Sequence, residues 1–200
     1  MASLFLSELF SSVVQVLLFT LIPFLTWLLT ARKKESFFSW IGFKKITSDK
    51  KECAKYSIVT IIISLVVGFI VYKLFLSGDW NKSDFAGTGI IGIPSAILSS
   101  YIHTALSEEI LFRGFIQKRL QSVLNFKVAT IIQAVLFGFA HIVFIFDKIN
   151  FVEGAALVIF PIIPGVLIAY INEKKAAGSI IPGWIMHGTM NIFLRVAQMF

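Results

Sequence analysis

The sequence predicts an all-α fold, a polytopic membrane helix bundle with about six transmembrane helices in one membrane domain. Hydrophobic residues make up 57% and charged residues 14% of the 200-residue chain, and the mean hydropathy is +0.86. Soluble domains are nearer one half apolar and one quarter charged. Six runs lack Asp, Glu, Lys and Arg and are long enough, or nearly so, to cross about 30 Å of hydrocarbon: Leu9 to Ala31, Tyr56 to Tyr72, Phe85 to Ser107, Val128 to Phe146, Gly154 to Asn172 and Ala176 to Leu194.

The first run is expected to remain in the protein as helix one. Met1 to Ser7 has no basic residue, and no small-residue cleavage site follows the apolar core, so the segment differs from a secretory signal peptide. The basic segment from Arg32 to Lys55 comes next. Its lysines alternate with aromatic residues, which suits either an amphipathic segment on an anionic membrane surface or a solvated loop: Phe37, Phe38, Trp40 and Phe43. Cys53 lies in this loop without a second cysteine, so no disulfide or cysteine-ligated metal is expected.

A glycine-rich loop, Ser77 to Ser95, is expected to lead into helix three. Within it, Gly87 to Gly92 match the dinucleotide fingerprint G-x-G-x-x-G letter for letter. That motif functions only between a strand and a helix of a βαβ unit, so the match is interpreted as accidental. In the fifth run, Pro161 and Pro164 are expected to kink the helix.

The basic residues are distributed unevenly among the predicted loops. Thirteen fall in loops one, three and five: Arg32, Lys33, Lys34, Lys44, Lys45, Lys50, Lys51, Lys55, Lys118, Arg119, Lys127, Lys174 and Lys175. The other side holds at most four: Lys73, Lys82, Lys148 and Arg195. The positive-inside rule therefore predicts cytoplasmic loops one, three and five, with both termini outside. The net charge of +7 is explained by the basic residues that orient the protein in the bilayer, so no nucleic-acid partner is expected.

Ionisable side chains on three predicted helices reach the middle of the membrane. Nine of the eleven acidic residues lie in loops or at span ends, and the exceptions are Glu108 and Glu109. If helix three continues to Lys118, Glu109 lies about 14 Å into the membrane, with His141 at about 21 Å and His187 at about 18 Å from their own basic loops. Such groups cost several kcal/mol each unless they pair or meet water, so a cluster indicates a functional site. The structural alternative is a polar network that pins helices together.

The spacing of these residues suggests a role for each. Glu109 and Arg113 are four residues apart on one helical face, where an ion pair makes Glu109 a structural carboxylate and leaves Glu108 as the freer base. His187 and Asn191 have the same spacing and face one cavity, as a neutral histidine and an amide suited to an oxyanion. His141 is expected to orient a water beside Glu108. His103 is interpreted as an interface histidine, and Ser107 lacks the third member of a nucleophilic triad.

The ordered motifs resemble a known family. They are E-E-x-x-x-R at Glu108 to Arg113, F-x-x-x-H at Phe137 to His141 and H-x-x-x-N at His187 to Asn191. The set is similar to that of the CAAX protease and bacteriocin-processing family, which includes the Ras-converting CAAX endopeptidases. The resemblance covers roughly residues 95 to 195, so residues 1–84 are interpreted as two N-terminal helices with a basic loop and residues 85–200 as the catalytic core.

This resemblance implies an intramembrane endopeptidase acting on a membrane-embedded or lipidated peptide or protein. Glu108 would activate the water, His141 would assist, and His187 with Asn191 would stabilise the oxyanion, while Glu109 and Arg113 fill the remaining motif positions. Family members have often been labelled metalloproteases, and His141, His187 and Glu108 are the candidate zinc ligands. We favour a metal-free mechanism without a cofactor, because H-E-x-x-H spacing is missing and a glutamate-activated water needs no metal.

Two other function classes remain open. One is a non-catalytic scaffold, for example in bacteriocin self-immunity, against which the intact motifs count. The other is a transporter, for which an inverted repeat and paired broken helices are missing. The short chain and its Phe, Ile and Lys bias favour a bacterial plasma membrane as the setting.

Overall fold

The computed structural model describes residues 2–75 and 84–200 of the chain. Within these residues the fold is entirely helical, without a strand, which confirms the predicted class. Seven helices follow one another: α1 (Ala2–Thr30), α2 (Phe37–Trp40), α3 (Lys50–Phe75), α4 (Gly89–Gln121), α5 (Phe126–Ala140), α6 (Phe151–Lys175) and α7 (Ile181–Met199). Six of them overlap the six apolar runs, and α2 lies in the first basic loop.

Four of the helices, α1, α3, α4 and α6, are long and apolar enough to cross a membrane. Helix α5 has 15 residues, and α7 has 19 residues but is less apolar. The protein is therefore an integral membrane helix bundle. That α5 and α7 also cross the bilayer stays a prediction, and so does the orientation of the protein in the membrane. The first part of the loop from Ser77 to Ser95, including Lys82, lies outside the described residues.

Helix α3 begins earlier than the sequence suggested. The side chain of Asp49 accepts hydrogen bonds from the backbone N–H groups of Lys51 at 2.8 Å and Glu52 at 3.3 Å, which caps the helix before Lys50. Cys53 is consequently in a helix and not in a loop, and it is buried against Ile168 and neighbouring apolar residues of α6 and α7.

Two predicted helix limits in the second half were also wrong. Helix α5 ends at Ala140 instead of Phe146, because the backbone tightens there into turns such as His141 N–H to Gly138 O at 3.1 Å. Helix α7 begins at Ile181 instead of Ala176, because Ala177 and Gly178 have φ angles of 53° and 79°. His141 therefore terminates a helix, and His187 lies in the second turn of α7.

Helix α4 changes its winding along its length. It opens with a 3₁₀ turn at Gly89–Gly92 and contains π-helical stretches at Ser99–Leu106 and Glu109–Gln117. The glycine fingerprint thus lies at the start of a membrane helix and lacks the strand that a dinucleotide site requires. Wide π turns are rare and occur frequently at functional sites, and here they flank Glu108.

Part of the basic loop after α1 packs into the bundle, while Phe38 and the lysines of the loop are exposed, so its place on a membrane surface or in solvent stays a prediction. Trp40 and Ile41 are buried, and the guanidinium of Arg119 stacks on the Trp40 ring at 3.8 Å. The backbone N–H of Ile180 donates to Gly42 O at 2.9 Å. Lys118 Nζ bonds Glu173 at 2.7 Å and Gly178 O at 2.8 Å. Loops one and five and the end of α4 therefore share one end of the bundle.

The close contact of α5 with α6 requires glycine at position 138. A Cβ there would collide with the carbonyl oxygen of Val158 and lie 3.0 Å from Ile162 Cγ1. Gly138→Ala should lower the free energy of unfolding by about 1–3 kcal/mol through overpacking, read as a lower melting temperature in detergent. Gly154→Ala is the matched control, because its Cβ would make only an ordinary 3.5 Å contact with Ile149. Equal melting temperatures of the two variants would contradict this packing.

Candidate active site

A buried ion pair lies at the centre of the bundle. Glu109 Oε1 is 3.0 Å from Arg113 Nη1, one turn apart on α4, and the two side chains are 0% and 1% exposed. The pair expected from the sequence is therefore present. Removing either partner would leave an isolated charge away from water, which costs several kcal/mol.

His187 lies between the two carboxylates of α4. Its Nδ1 is 3.2 Å from Glu109 Oε1, and its Nε2 is 3.6 Å from Glu108 Oε2. Because the Glu109 carboxylate only accepts hydrogen bonds, Nδ1 of His187 donates to it. A neutral His187 with this tautomer has no proton on Nε2, and the expected role of His187 as an oxyanion donor stays a prediction.

His141 presents its other nitrogen to the site. Nδ1 bonds the backbone carbonyl oxygen of Phe137 at 2.8 Å. A carbonyl oxygen only accepts, so Nδ1 carries the proton and Nε2 keeps its lone pair. This bond orients the imidazole at the end of α5 and leaves Nε2 able to accept a hydrogen bond from water.

Phe137 is a site residue to which sequence reasoning gave no role. The ring is buried, with the Arg113 guanidinium 4.0 Å from its centroid. The rings of His141 and His187 meet it edge to face at centroid distances of 4.8 and 5.8 Å. One aromatic side chain therefore packs against three of the polar residues of the site and fixes their relative positions. The feature of the sequence that could have identified Phe137 is its position as the first residue of the F-x-x-x-H motif.

A cavity of about 360 Å³ opens beside these groups. Four predicted site residues line it: Glu108, His141, His187 and Asn191. Glu109 and Arg113 do not line the cavity and lie behind these four residues. Glu108, which is 19% exposed, is the carboxylate that faces the cavity. The opposite walls are mostly apolar and include Leu157, Phe160, Pro161, Pro164 and Ile168 of α6. The expected kink at the two prolines stays a prediction.

Asn172 and Gly183 were not anticipated either. The N–H of Gly183 donates to Asn172 Oδ1 at 2.9 Å, and both residues are buried. A Cβ on Gly183 would lie 2.7 Å from Glu109 Oε2, so only glycine lets α7 approach the ion pair this closely. Their signal in the sequence is weak, because glycine is common in membrane helices and asparagine is common near helix ends.

The remaining candidates are engaged elsewhere. Ser107 is buried and donates its hydroxyl proton to the backbone carbonyls of His103 and Thr104, so it is not poised as a nucleophile. His103 Nδ1 bonds Glu8 Oε1 of α1 at 2.9 Å, as an interface histidine would.

A zinc ion does not fit the residues as they are arranged. Within residues 2–75 and 84–200, no group of three or more His, Cys, Asp or Glu side chains converges as a metal-binding set. The zinc ligand set considered from the sequence, His141, His187 and Glu108, is therefore not assembled in this arrangement.

The bundle and its site define an integral membrane protein whose paired carboxylates, histidines and an amide are gathered inside the helices at a cavity. Residues 90–193, more than half of the chain, match the family model of the Rce1-like type II CAAX prenyl endopeptidases. The chain belongs to this family of membrane proteases. No curated protein and no solved structure matches the chain significantly.

The two adjacent glutamates should differ in what they do for stability. Glu109→Gln leaves Arg113 buried without a countercharge and should lower the free energy of unfolding by about 3–5 kcal/mol. Glu108→Gln changes a residue that faces the cavity and should change stability by less than about 1 kcal/mol. Melting temperatures of the two purified variants in one detergent measure the difference. A Glu108→Gln variant as unstable as Glu109→Gln would contradict this prediction, because the two carboxylates would then contribute equally to the free energy of unfolding.

Proposed function

We propose that the protein is an intramembrane endopeptidase that hydrolyses a peptide bond of a membrane-associated peptide or protein with a water activated by Glu108. The observation that carries this proposal is the division between the two carboxylates. Glu109 is held by Arg113 and His187 away from the cavity, while Glu108 faces the cavity beside His187. A base must reach the water that it deprotonates, and Glu108 has that access.

The first step joins the water to the scissile carbonyl. Glu108 takes one proton from the water, with Nε2 of His141 accepting a hydrogen bond from its other O–H. The water oxygen then forms a bond to the carbonyl carbon, and the carbonyl oxygen becomes negatively charged. Proton transfer by a positioned side chain of this kind contributes typically 10²–10⁴-fold in rate.

The developing oxyanion needs donors fixed in advance. Asn191 Nδ2 is buried without a hydrogen-bond partner among the described residues, so its N–H groups are free to donate into the cavity. His187 faces Glu108 and the cavity with Nε2, which donates a hydrogen bond whenever it carries a proton. Breakdown of the intermediate breaks the C–N bond, and Glu108 returns its proton to the leaving amine.

The mostly apolar lining of the cavity is suited to a substrate that enters from the bilayer. The family description names prenyl endopeptidases, whose substrates are lipidated, and we include lipidated proteins with membrane-embedded peptides in the substrate class. A bacterial plasma membrane, with basic loops in the cytoplasm and both termini outside, remains our proposed setting.

Cleavage by the purified protein tests this function directly. In detergent, with a library of quenched fluorescent membrane peptides, Glu108→Gln and His187→Ala should abolish cleavage, and Asn191→Ala should lower kcat about 10²–10³-fold. Glu52→Gln is the matched control, because Glu52 pairs with Lys175 at the exposed end of the bundle. A zinc chelator should leave the wild-type rate unchanged.

Each alternative has its own signature in that experiment. Full activity of Glu108→Gln would refute the assigned base. Activity lost to the chelator and restored by zinc would make His141 and His187 metal ligands. A folded wild-type protein that cleaves no peptide would instead support a non-catalytic scaffold, such as one for bacteriocin immunity.

A further inference from the structure

The two oxygens of the Glu109 carboxylate have different surroundings. Oε1 lies 3.0 Å from Arg113 Nη1 and 3.2 Å from His187 Nδ1. Oε2 is buried and has no hydrogen-bond partner among the described residues. An acceptor on a charged group is costly to bury without a donor, so a donor is expected close to Oε2.

Asn172 carries an unused donor, and it lies in the π turn that ends α6. Its Oδ1 accepts the backbone N–H of Gly183 at 2.9 Å, and its backbone oxygen accepts the N–H of Gly178 at 2.8 Å. Because a backbone N–H only donates, the atom that faces Gly183 is the amide oxygen and the other atom is the NH₂ group. Nδ2 is buried and makes no hydrogen bond to any described residue. The side chain therefore keeps two N–H donors in a place that is 1% exposed.

The unused donor and the unused acceptor lie beside the same glycine. A Cβ on Gly183 would be 2.5 Å from Asn172 Nδ2 and 2.7 Å from Glu109 Oε2. The two atoms are therefore within roughly 5 Å of each other, a separation that a direct hydrogen bond or one bridging water can span. Glycine at position 183 leaves the space between them clear.

A contact on each oxygen matters for the orientation of this carboxylate. The last torsion of a glutamate side chain is broad, so contacts to Oε1 alone leave the plane of the group free to turn. A donor on Oε2 fixes that plane. With the plane fixed, Oε1 stays directed at Nδ1 of His187, and Nε2 of His187 stays directed at Glu108.

We propose that Asn172 is a positioning residue that donates a hydrogen bond to Glu109 Oε2, directly or through one water, and so fixes the carboxylate that orients His187. Among the described residues that line the cavity Asn172 is missing, so it acts through Glu109 and does not touch the substrate. Its effect on catalysis rests on the proposed function, whereas the contact with Glu109 does not.

Asn172→Ala should lower kcat for the quenched peptides about tenfold to a hundredfold, the size expected for one hydrogen bond to a charged group. KM should change by less than about twofold, because the substrate does not meet Asn172. Asn125→Ala is the matched control: Asn125 also accepts a backbone N–H at the start of a helix, from Val128 at 3.0 Å, but lies exposed on α5. It should change neither constant.

A role limited to the cap on Gly183 is distinguished by a second background. In Glu109→Gln/Arg113→Met the carboxylate is gone, so adding Asn172→Ala should change kcat by less than about twofold. An equal loss of kcat in the wild-type and double-variant backgrounds would overturn the proposal and leave Asn172 as a helix cap. A rise of KM without a fall of kcat would overturn it as well.

The ring nitrogens of His187 give a readout that does not depend on cleavage. In protein labelled with ¹⁵N-histidine, Nδ1 should have the chemical shift of a protonated nitrogen in the wild type and should move toward that of an unprotonated one in Asn172→Ala. An unchanged signal would refute the positioning role, even for a protein that cleaves nothing.

The contact can also be measured without changing Asn172, which covers a variant that does not fold. The side-chain amide protons of Asn172 should shift between the wild type and Glu109→Gln/Arg113→Met, because the carboxylate that they face is removed. Identical amide signals in the two proteins would show that Asn172 does not bind Glu109.

Discussion

The buried pair of Glu109 and Arg113 is the interaction on which the rest of the site depends. Its charges lie one turn apart on α4, in a part of the bundle that water does not reach from outside. The carboxylate is shared, because the oxygen that faces Arg113 also accepts from His187 on α7. The guanidinium in turn stacks on Phe137 of α5. One ion pair therefore joins three helices and fixes the orientation of the histidine that faces Glu108.

The same arrangement explains how two adjacent glutamates come to have different surroundings. They project in different directions from α4, so one is enclosed between helices and the other faces the cavity. Burial makes Glu109 expensive to change and unavailable to a substrate. Exposure to the cavity makes Glu108 accessible to water and substrate. The difference arises from the packing of α7 against α4, which glycine at position 183 permits.

Much of this architecture was predictable from the sequence, because the membrane limits the possible folds to a few. The six apolar runs, the spacing of Glu109 and Arg113, and the three motifs located the bundle and its polar residues. Helix ends were less predictable: the Asp49 cap and the turn at Ala177 and Gly178 depend on local backbone geometry that hydropathy does not register. The roles of Phe137 and Asn172 arise from contacts between different helices, which periodicity within one helix does not reveal.

The most direct measurement of the central claim is peptide cleavage by the double variant Glu109→Gln/Arg113→Met, compared with Glu108→Gln. The double variant removes both buried charges together, and Gln still offers an oxygen to His187 Nδ1, so it should fold and retain measurable cleavage. Glu108→Gln should fold equally well and cleave nothing. Cleavage by Glu108→Gln together with a folded but inactive double variant would contradict the account and make Glu109 the base.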